Sequence, residues 1–223
     1  LLPFVLVGVI FLHIAALHIT GSNNPLGIDV KSEADTLPFH PYYTIKDSVG
    51  ICVFLLLFAI LVFFAPTFFM APDNWVPADP LVTPSDIVPE CDVLPVDAIL
   101  RSVPNKLGGV MMMFGALAVL FVLPWLDTSP VRSARFRPIY RILFWVLLLA
   151  VVTLGMVGAH RPEGIWVVLG RLATLYYFAH FLVILPVLGK LERPLPLPES
   201  ISRPVIGGGP LPAGATAKPM EKV

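Results

Sequence analysis

Five apolar segments, separated by polar or proline-rich stretches, dominate the pattern of hydrophobic and polar positions along the chain. They cover residues 1–19, 49–64, 107–126, 139–159 and 165–188. A helix needs about 20 predominantly apolar residues to cross the hydrocarbon core of a membrane. Because lipid offers no hydrogen-bond partner to an open backbone, such segments must be helical. The pattern therefore predicts an all-α membrane protein with about five transmembrane helices, the first of them truncated.

Composition agrees with a chain that crosses the membrane several times. Hydrophobic residues make up 57% of the 223 residues and charged residues 13%, whereas about 25% of a soluble domain is charged. Mean hydropathy is +0.83. The formal net charge of zero argues against a nucleic-acid partner. Cys52 and Cys91 lack C-x-x-C spacing, so they indicate neither a disulfide framework nor a thiolate metal site.

The loop between the second and third spans is long and rich in proline. Its prolines exclude a long regular helix, while its apolar residues favour a docked loop with one short helix near residues 94–102. The tail, residues 194–223, is rich in proline and glycine, and this composition predicts disorder.

Basic residues predict the orientation of the chain in the membrane. Loops that face the cytoplasm carry an excess of Lys and Arg. That excess is found after the first span, after the third span and in the tail, at Lys31, Lys46, Arg132, Arg135, Arg137, Lys190, Arg193, Arg203, Lys218 and Lys222. These segments and the C-terminus are therefore expected on the cytoplasmic, negative side. Residues 66–105 and 160–164 are expected on the positive side.

Two histidines in the first span are candidates for chemistry. Ionisable side chains inside membrane helices are rare and are functional candidates by default. His13 and His18 lie in the last third of that span. The alternative is that two neutral histidines hydrogen-bond between packed helices. Asp47 precedes the second span, where it could act in proton transfer or simply cap a helix that begins at Val49.

Several ungapped motifs resemble cytochrome b of the respiratory and photosynthetic bc complexes. They are HITGSNNPLG at 18–27, PFHPYYTIKD at 38–47, Pro-Glu at 89–90, AILRSVPNKLGGV at 98–110 and FRP at 136–138. The resemblance extends from residue 1 to about residue 197. It implies an electron-transfer subunit of a quinol:cytochrome c oxidoreductase. Such a subunit oxidises quinol at the positive side and reduces quinone at the negative side, coupled to proton translocation.

The resemblance also implies cofactors, partners and a location. A full-length family member holds two b haems and acts on ubiquinol or another quinol. Its partners are a Rieske iron–sulfur protein, a c-type cytochrome subunit, a second copy in a homodimeric complex, and the lipid of a bacterial inner membrane. Nucleic acid is not among them.

Residue roles follow from the matching motifs. His13 corresponds to an axial ligand of the haem iron nearer the negative side, and the family's other haem ligands lie upstream, so this chain supplies one axial ligand. His18 and Asp47 correspond to the family's negative-side quinone pair, with Ser22, Asn23 and Lys46 beside them. Reducing a quinone requires acids that meet its carbonyls.

These roles divide the chain into six segments. They are the end of a haem-binding helix (1–20), a negative-side loop (21–48), a transmembrane helix (49–65), a positive-side quinol loop (66–106), a three-helix membrane region (107–193) and the disordered tail (194–223).

Glu90 matches the glutamate of the family's quinol-oxidation motif and is the expected catalytic residue of the long loop. A carboxylate among apolar neighbours suits proton transfer near neutrality. The chain departs from the family at Cys91-Asp92-Val93, Val96 and Asp97, where aromatic residues are usual. The quinol pocket is therefore expected to lose aromatic walls and to gain two buried carboxylates without partners, which costs several kcal/mol. Both a divergent site and an error in determining the sequence fit this pattern.

A proton-coupled transporter is the main alternative, with His13, His18 and Asp47 as a proton relay. Many transporters consist of repeated halves with broken helices, and the sequence contains no such repeat. A structural membrane scaffold is the second alternative.

Overall fold

The computed structural model describes residues 1–68, 70, 75–82, 89 and 91–202, and this part of the chain contains helices and no β-strand. The α-helices are α1 (Leu2–Thr20), α2 (Thr44–Phe64), α3 (Leu94–Ser102), α4 (Lys106–Phe121), α5 (Leu123–Leu126), α6 (Pro138–Gly158), α7 (Ile165–Ala179) and α8 (Leu185–Leu191). Short 3₁₀ turns occupy Glu33–Asp35 and Ala134–Phe136, and π turns occupy Phe39–Tyr43 and His180–Ile184.

The helical membrane fold expected from the sequence is confirmed. Four helical segments of the described chain are long and apolar enough to cross a membrane, namely Leu2–Ile19, Glu33–Phe64, Pro138–Gly158 and Ile165–Leu191. The other apolar segment is shorter than expected, because α4 has 16 residues and ends at Phe121. Pro124 lies at the start of the separate helix α5. Proline lacks an N–H to donate to the preceding turn, so the helix does not continue through it.

The short helix α3 lies at the centre of the C-terminal half, packed against α4, α6 and α7. This helix confirms the one predicted near residues 94–102. Its Ala98 and Ile99 are buried with Ala116 of α4, Leu154 of α6 and Ala173 of α7. The short helix α3, which lies within the long loop of the chain, therefore forms part of the core of the bundle.

Two glycines allow the backbone of α3 to lie directly against its neighbours. A Cβ at Gly109 of α4 would collide with the carbonyl oxygen of Leu100, and a Cβ at Gly158 of α6 would collide with that of Leu94. Both obstacles are backbone atoms, which cannot turn away as a flexible side chain can. Any side chain at these positions must therefore displace α3.

Gly158→Ala is expected to lower the stability of the full-length protein, because overpacking a close contact costs about 1–3 kcal/mol. Gly155→Ala on the same helix is the matched control. A Cβ at Gly155 would lie 3.9 Å from Cγ of Pro95, an ordinary contact. Thermal unfolding in detergent micelles measures both variants. Equal melting temperatures for the two variants would contradict the close approach of α3 to α6.

Helices α1 and α2 expose apolar side chains on all sides. No residue in the apolar part of either helix is buried, and Phe4, Leu12, Phe54 and Phe63 are examples of exposed side chains. A helix that is apolar all round is covered by lipid or by other helices. Both helices are therefore available to membrane lipid and to neighbouring helices.

Three basic segments meet at one end of the structure. Lys31 Nζ donates to the carbonyl of Glu199 at 2.5 Å, and the backbone N–H of Ser202 donates to Asp35 at 2.8 Å. Asp29 of the same loop pairs with Arg132. These contacts agree with the expectation that the loops after the first and third spans share a side with the tail.

Part of the segment assigned to a disordered tail has ordered contacts. The backbone N–H of Leu195 donates to the carbonyl of Phe136 at 2.8 Å, in addition to the contacts of Glu199 and Ser202. Composition could not indicate these bonds, because the groups involved are mainly backbone atoms. Residues 203–223 lie outside the described residues.

Candidate functional site

The first helix presents His13 and His18 in different directions. Helix α1 ends where Gly21 adopts φ +75°, and the N–H of Gly21 donates to the carbonyl of Leu17 at 2.8 Å. Five residues of an α-helix correspond to a rotation of about 140° and a rise of about 7.5 Å. The two imidazoles therefore face different sectors, and one of them lies near the end of the helix.

His13 is exposed, and its ring nitrogens form no hydrogen bond with another described residue. The other four histidines of the chain do: His18 with the Ile14 carbonyl, His40 with Thr44, His160 with the Met156 carbonyl and His180 with Tyr176. An imidazole nitrogen without a partner, carried on a rigid helix, suits an axial position on haem iron.

The fit to haem is limited to one axial position. Among the described residues no group of three or more His, Cys, Asp or Glu side chains could hold a metal ion. Two axial nitrogens are needed for a b-type haem ligated by histidine on both faces. His13 offers one exposed imidazole nitrogen for such a position.

His18 stands beside the polar turn at the end of α1. Its Nδ1 donates to the carbonyl of Ile14 at 2.9 Å, an assignment that follows because a carbonyl oxygen only accepts. The Nε2 atom then holds the free lone pair of the neutral ring. Ser22 and Asn23 are exposed just beyond it. This end of the helix therefore combines one free imidazole nitrogen with hydroxyl and amide groups.

Lys46 and Asp47 are exposed in the first turns of α2. The helix begins at Thr44, whose hydroxyl donates to the carbonyl of Pro41 at 3.1 Å. Asp47 therefore lies inside the helix, and the alternative in which it caps a helix beginning at Val49 is wrong. No hydrogen bond among the described residues joins Lys46 or Asp47 to His18, Ser22 or Asn23.

The long loop is described only in part. Glu90 lies outside the described residues, whereas Cys91, Asp92 and Val93 are exposed. Asp97 pairs with Arg101, with 2.7 Å between Oδ2 and Nε, and both side chains are 24% exposed. The expectation of two buried carboxylates without partners is therefore wrong. Asp92 faces outward, and Asp97 has a cation one helical turn away.

Arg101 joins α3 to the end of α6, a role that the sequence analysis missed. Its guanidinium donates to the carbonyls of Gly158 at 2.5 Å, His160 at 3.0 Å and Val157 at 3.3 Å. The last carbonyls of a helix have no partner within the helix, so Arg101 satisfies them and its charge opposes the helix dipole. The motif containing Arg101 was recognised, but the sequence did not indicate its partners.

Val96 lines an apolar cavity of about 300 Å³ beside α3. The other lining residues include Ile99, Leu120 and Leu154. Tyr177 also lines the cavity. Its hydroxyl donates to the Ala116 carbonyl at 2.9 Å, so the lining has no free polar group. An aromatic side chain at position 96 would occupy part of this space.

Asp35 lies at the end of the structure where the basic segments meet, and its carboxylate accepts hydrogen bonds from the backbone of Lys31 and Ser202. Burial acts to raise the pKa of Asp35, but hydrogen bonds from Lys31, Ser202 and Ser32 together outweigh it and hold the pKa below its usual value. A carboxyl group with a lowered pKa stabilises the fold at neutral pH and loses that effect as the pH falls through the lowered value. The contact with the tail is therefore fully formed at neutral pH.

The helices and their exposed apolar surfaces define an integral membrane protein of the all-α class. A family model described as cytochrome b (N-terminal)/b6/petB matches residues 1–72. A second, described as cytochrome b (C-terminal)/b6/petD, matches residues 77–178. The chain belongs to the cytochrome b family.

Curated relatives give the extent of the match. The chain is 57% identical over 201 residues to cytochrome b of Rickettsia bellii (strain RML369-C), which covers 90% of this chain and 50% of the relative. It is 59% identical over 205 residues to cytochrome b of Rhodospirillum rubrum, covering 92% of this chain and 51% of that relative. The chain thus spans about half the length of these relatives.

A solved structure shows the same fold. A chain of a hyperthermophilic respiratory Complex III superposes with a TM-score of 0.79 at 33% sequence identity. The match covers 85% of this chain and 49% of that one. The arrangement of helices described above is therefore similar to the arrangement in this chain of the respiratory Complex III.

Proposed function

We propose that this chain forms the part of a cytochrome b subunit that carries one axial haem ligand and the quinone-reducing site of a quinol:cytochrome c oxidoreductase. The observation that carries the proposal is the free imidazole of His13 on an apolar helix, in a chain of this family. The subunit works in an inner membrane, with its C-terminus in the cytoplasm.

His13 would hold the iron of the haem nearer the negative side. When bound, haem would supply one-electron transfer across the membrane, and the protein would supply orientation and electrostatics. The apolar side chains of α1 around His13 would exclude water from the haem. The exposed apolar surface of α1 supports this role, because a flat apolar cofactor needs a surface of the same character.

His18 and Asp47 supply protons to quinone at the end of α1. The bond from Nδ1 of His18 to the Ile14 carbonyl fixes the ring and leaves the unprotonated Nε2 free to take up a proton from water and pass it to a quinone oxygen. Asp47 and Lys46 are open to water and can renew that proton. Ser22 and Asn23 supply hydroxyl and amide groups that orient the quinone carbonyl.

Glu90 accepts a proton from quinol at the opposite side of the membrane. The loop that carries it leads into α3, which is anchored by Arg101 at the end of α6. The Rieske iron–sulfur protein takes one electron from quinol there and passes it to a c-type cytochrome, and two copies of the complex form a dimer. Rigid docking of α3 supports this assignment, since a site built on a fixed element keeps its geometry.

A difference spectrum tests the class of protein. The full-length protein, reduced minus oxidised, is expected to show b-type haem bands. A proton-coupled transporter has no such bands, so their absence would overturn the proposed function and favour that alternative.

His18→Leu and Asp47→Asn are expected to slow reoxidation of the negative-side haem by quinone by about 100-fold. This is the lower end of what general acid–base catalysis contributes. The haem absorbance should remain, since neither residue holds the iron. Flash or stopped-flow kinetics on the full-length complex measure the rate. The control is Glu33→Gln, which removes the charge of a different exposed carboxylate, in the loop between α1 and α2. Wild-type rates in both variants would remove the quinone assignment.

A further inference from the structure

The loop between α1 and α2 (residues 21–43) is held by the loop between α5 and α6 (residues 127–137). Arg132 Nη2 lies 2.5 Å from Oδ1 of Asp29. Ser133 Oγ donates to the carbonyl of Pro25 at 2.8 Å and also accepts from the N–H of Arg135 at 3.3 Å. These contacts fall on Pro25 and Asp29, two and six residues after Asn23.

Gly27 lets the two loops meet at the level of their backbones. It adopts φ +65°, and a Cβ there would lie 3.0 Å from Cβ of Arg132 and 3.2 Å from the backbone nitrogen of Ser133. The neighbouring Ile28 and Val131 are each 7% exposed. The contact is therefore a packed one, to which the exposed ion pair is added.

A turn built by Asn24 connects this contact to the end of α1. The side chain of Asn24 donates to the Ile28 carbonyl at 2.6 Å and accepts from the N–H of Leu26 at 3.1 Å. The N–H of Asn24 donates to Oδ1 of Asn23 at 2.9 Å. The segment from Asn23 to Ile28 is thus internally bonded, and a constraint on Pro25 or Asp29 acts on Asn23.

We propose that Arg132 and Ser133 are positioning residues for the quinone-reducing site. By holding the segment that begins at Pro25, they fix Ser22 and Asn23 relative to His18, so that quinone meets polar groups already in place. Holding reactants and catalytic groups in a fixed geometry lowers the barrier without adding a new contact. The inference rests on the proposed function, because it takes quinone as the ligand at this end of α1.

Charge reversal in the full-length complex tests the ion pair. Arg132→Asp and Asp29→Arg should each raise KM for quinone about two- to fivefold, as expected for an exposed pair, with kcat and both haem bands retained. The double variant Asp29→Arg/Arg132→Asp should restore KM, because the pair is re-formed in the opposite sense. Ser133→Ala should raise KM without any change of charge.

Ionic strength provides a readout that a general loss of structure would not give. The Debye length shortens from about 10 Å at 0.1 M to about 3 Å at 1 M salt, so the difference in KM between wild type and Arg132→Asp should shrink as salt is raised. The double variant should show the same salt dependence as wild type.

Arg135→Asp is the matched control, because it makes the same change of charge in the same loop. The guanidinium of Arg135 has no hydrogen bond or ion pair with another described residue. If Arg132→Asp behaves like Arg135→Asp, or if the double variant is no better than the single ones, the positioning role is overturned. Slow quinone reduction in His18→Leu alone would then leave the proposed function standing. Normal reduction in both His18→Leu and Asp47→Asn would instead remove the quinone assignment on which the inference rests.

Discussion

Replacing His13 by leucine in the full-length protein is expected to remove the haem nearer the negative side and to leave the other haem bound. Leucine is close to histidine in size and is apolar, so it keeps the surface of α1 while it deletes the nitrogen. His13 forms no hydrogen bond with a described residue, so the substitution leaves no stranded partner. Loss of the haem is therefore the direct consequence of losing the iron ligand.

Pyridine haemochrome analysis and redox difference spectra measure this outcome. One haem per protein should remain, with the absorbance of the positive-side haem. His18→Leu is the matched control, since it makes the same substitution on the same helix and should keep both haems. Retention of two haems in His13→Leu would show that His13 is not an axial ligand.

The sequence predicted the helices and the central helix α3 for identifiable reasons, and it singled out the two histidines of α1, whose roles stay predictions. The apolar segments are long enough to be recognised by their length alone. Ionisable side chains such as His13 and His18 are conspicuous within an apolar run. In both cases the signal is local in the chain. The pairing of Asp97 with Arg101 is also local, at one helical turn, and it could have been found by testing i, i+4 charge pairs.

Features that depend on distant residues could not be predicted in this way. The carbonyls that Arg101 satisfies belong to α6, and nothing near Arg101 in the chain indicates them. The start of α2 at Thr44 was missed for a local reason, because its first turn contains Thr44, Lys46 and Asp47 and a hydropathy pattern marks only the apolar part of a helix.

The partners of Arg137 could not be predicted from nearby residues either. Arg137 lies at the centre of a buried ionic group at the start of α6. The sequence predicted it only as a basic loop residue, yet its side chain is 1% exposed. Its Nη1 lies 3.1 Å from both carboxylate oxygens of Asp127, and its Nε lies 3.7 Å from Oε2 of Glu192. The guanidinium carbon also lies 4.1 Å above the ring of Tyr140.

Glu192 gives this group a second function as the cap of α6. Its Oε1 accepts from the backbone N–H of Ile139 at 2.6 Å and from that of Tyr140 at 3.2 Å. The first N–H groups of a helix have no partner within the helix, so a carboxylate from the end of α8 satisfies them. Its side chain is 2% exposed. Arg137 therefore neutralises the charge of the buried carboxylate whose oxygen caps the start of α6.

Arg137→Met is accordingly expected to destabilise the full-length protein by about 3–5 kcal/mol, the usual cost of removing one partner of a buried ion pair. Methionine fills much of the space of arginine but leaves Glu192 buried without a counter-charge. Adding Glu192→Gln should recover part of the loss, because glutamine keeps the oxygen that caps α6 and removes the charge. Thermal unfolding in detergent micelles measures both variants. If Arg137→Met has the same melting temperature as wild type, Arg137 does not neutralise the charge of Glu192. If the double variant has a lower melting temperature than Arg137→Met, the start of α6 requires the charge of Glu192 and not only its oxygen.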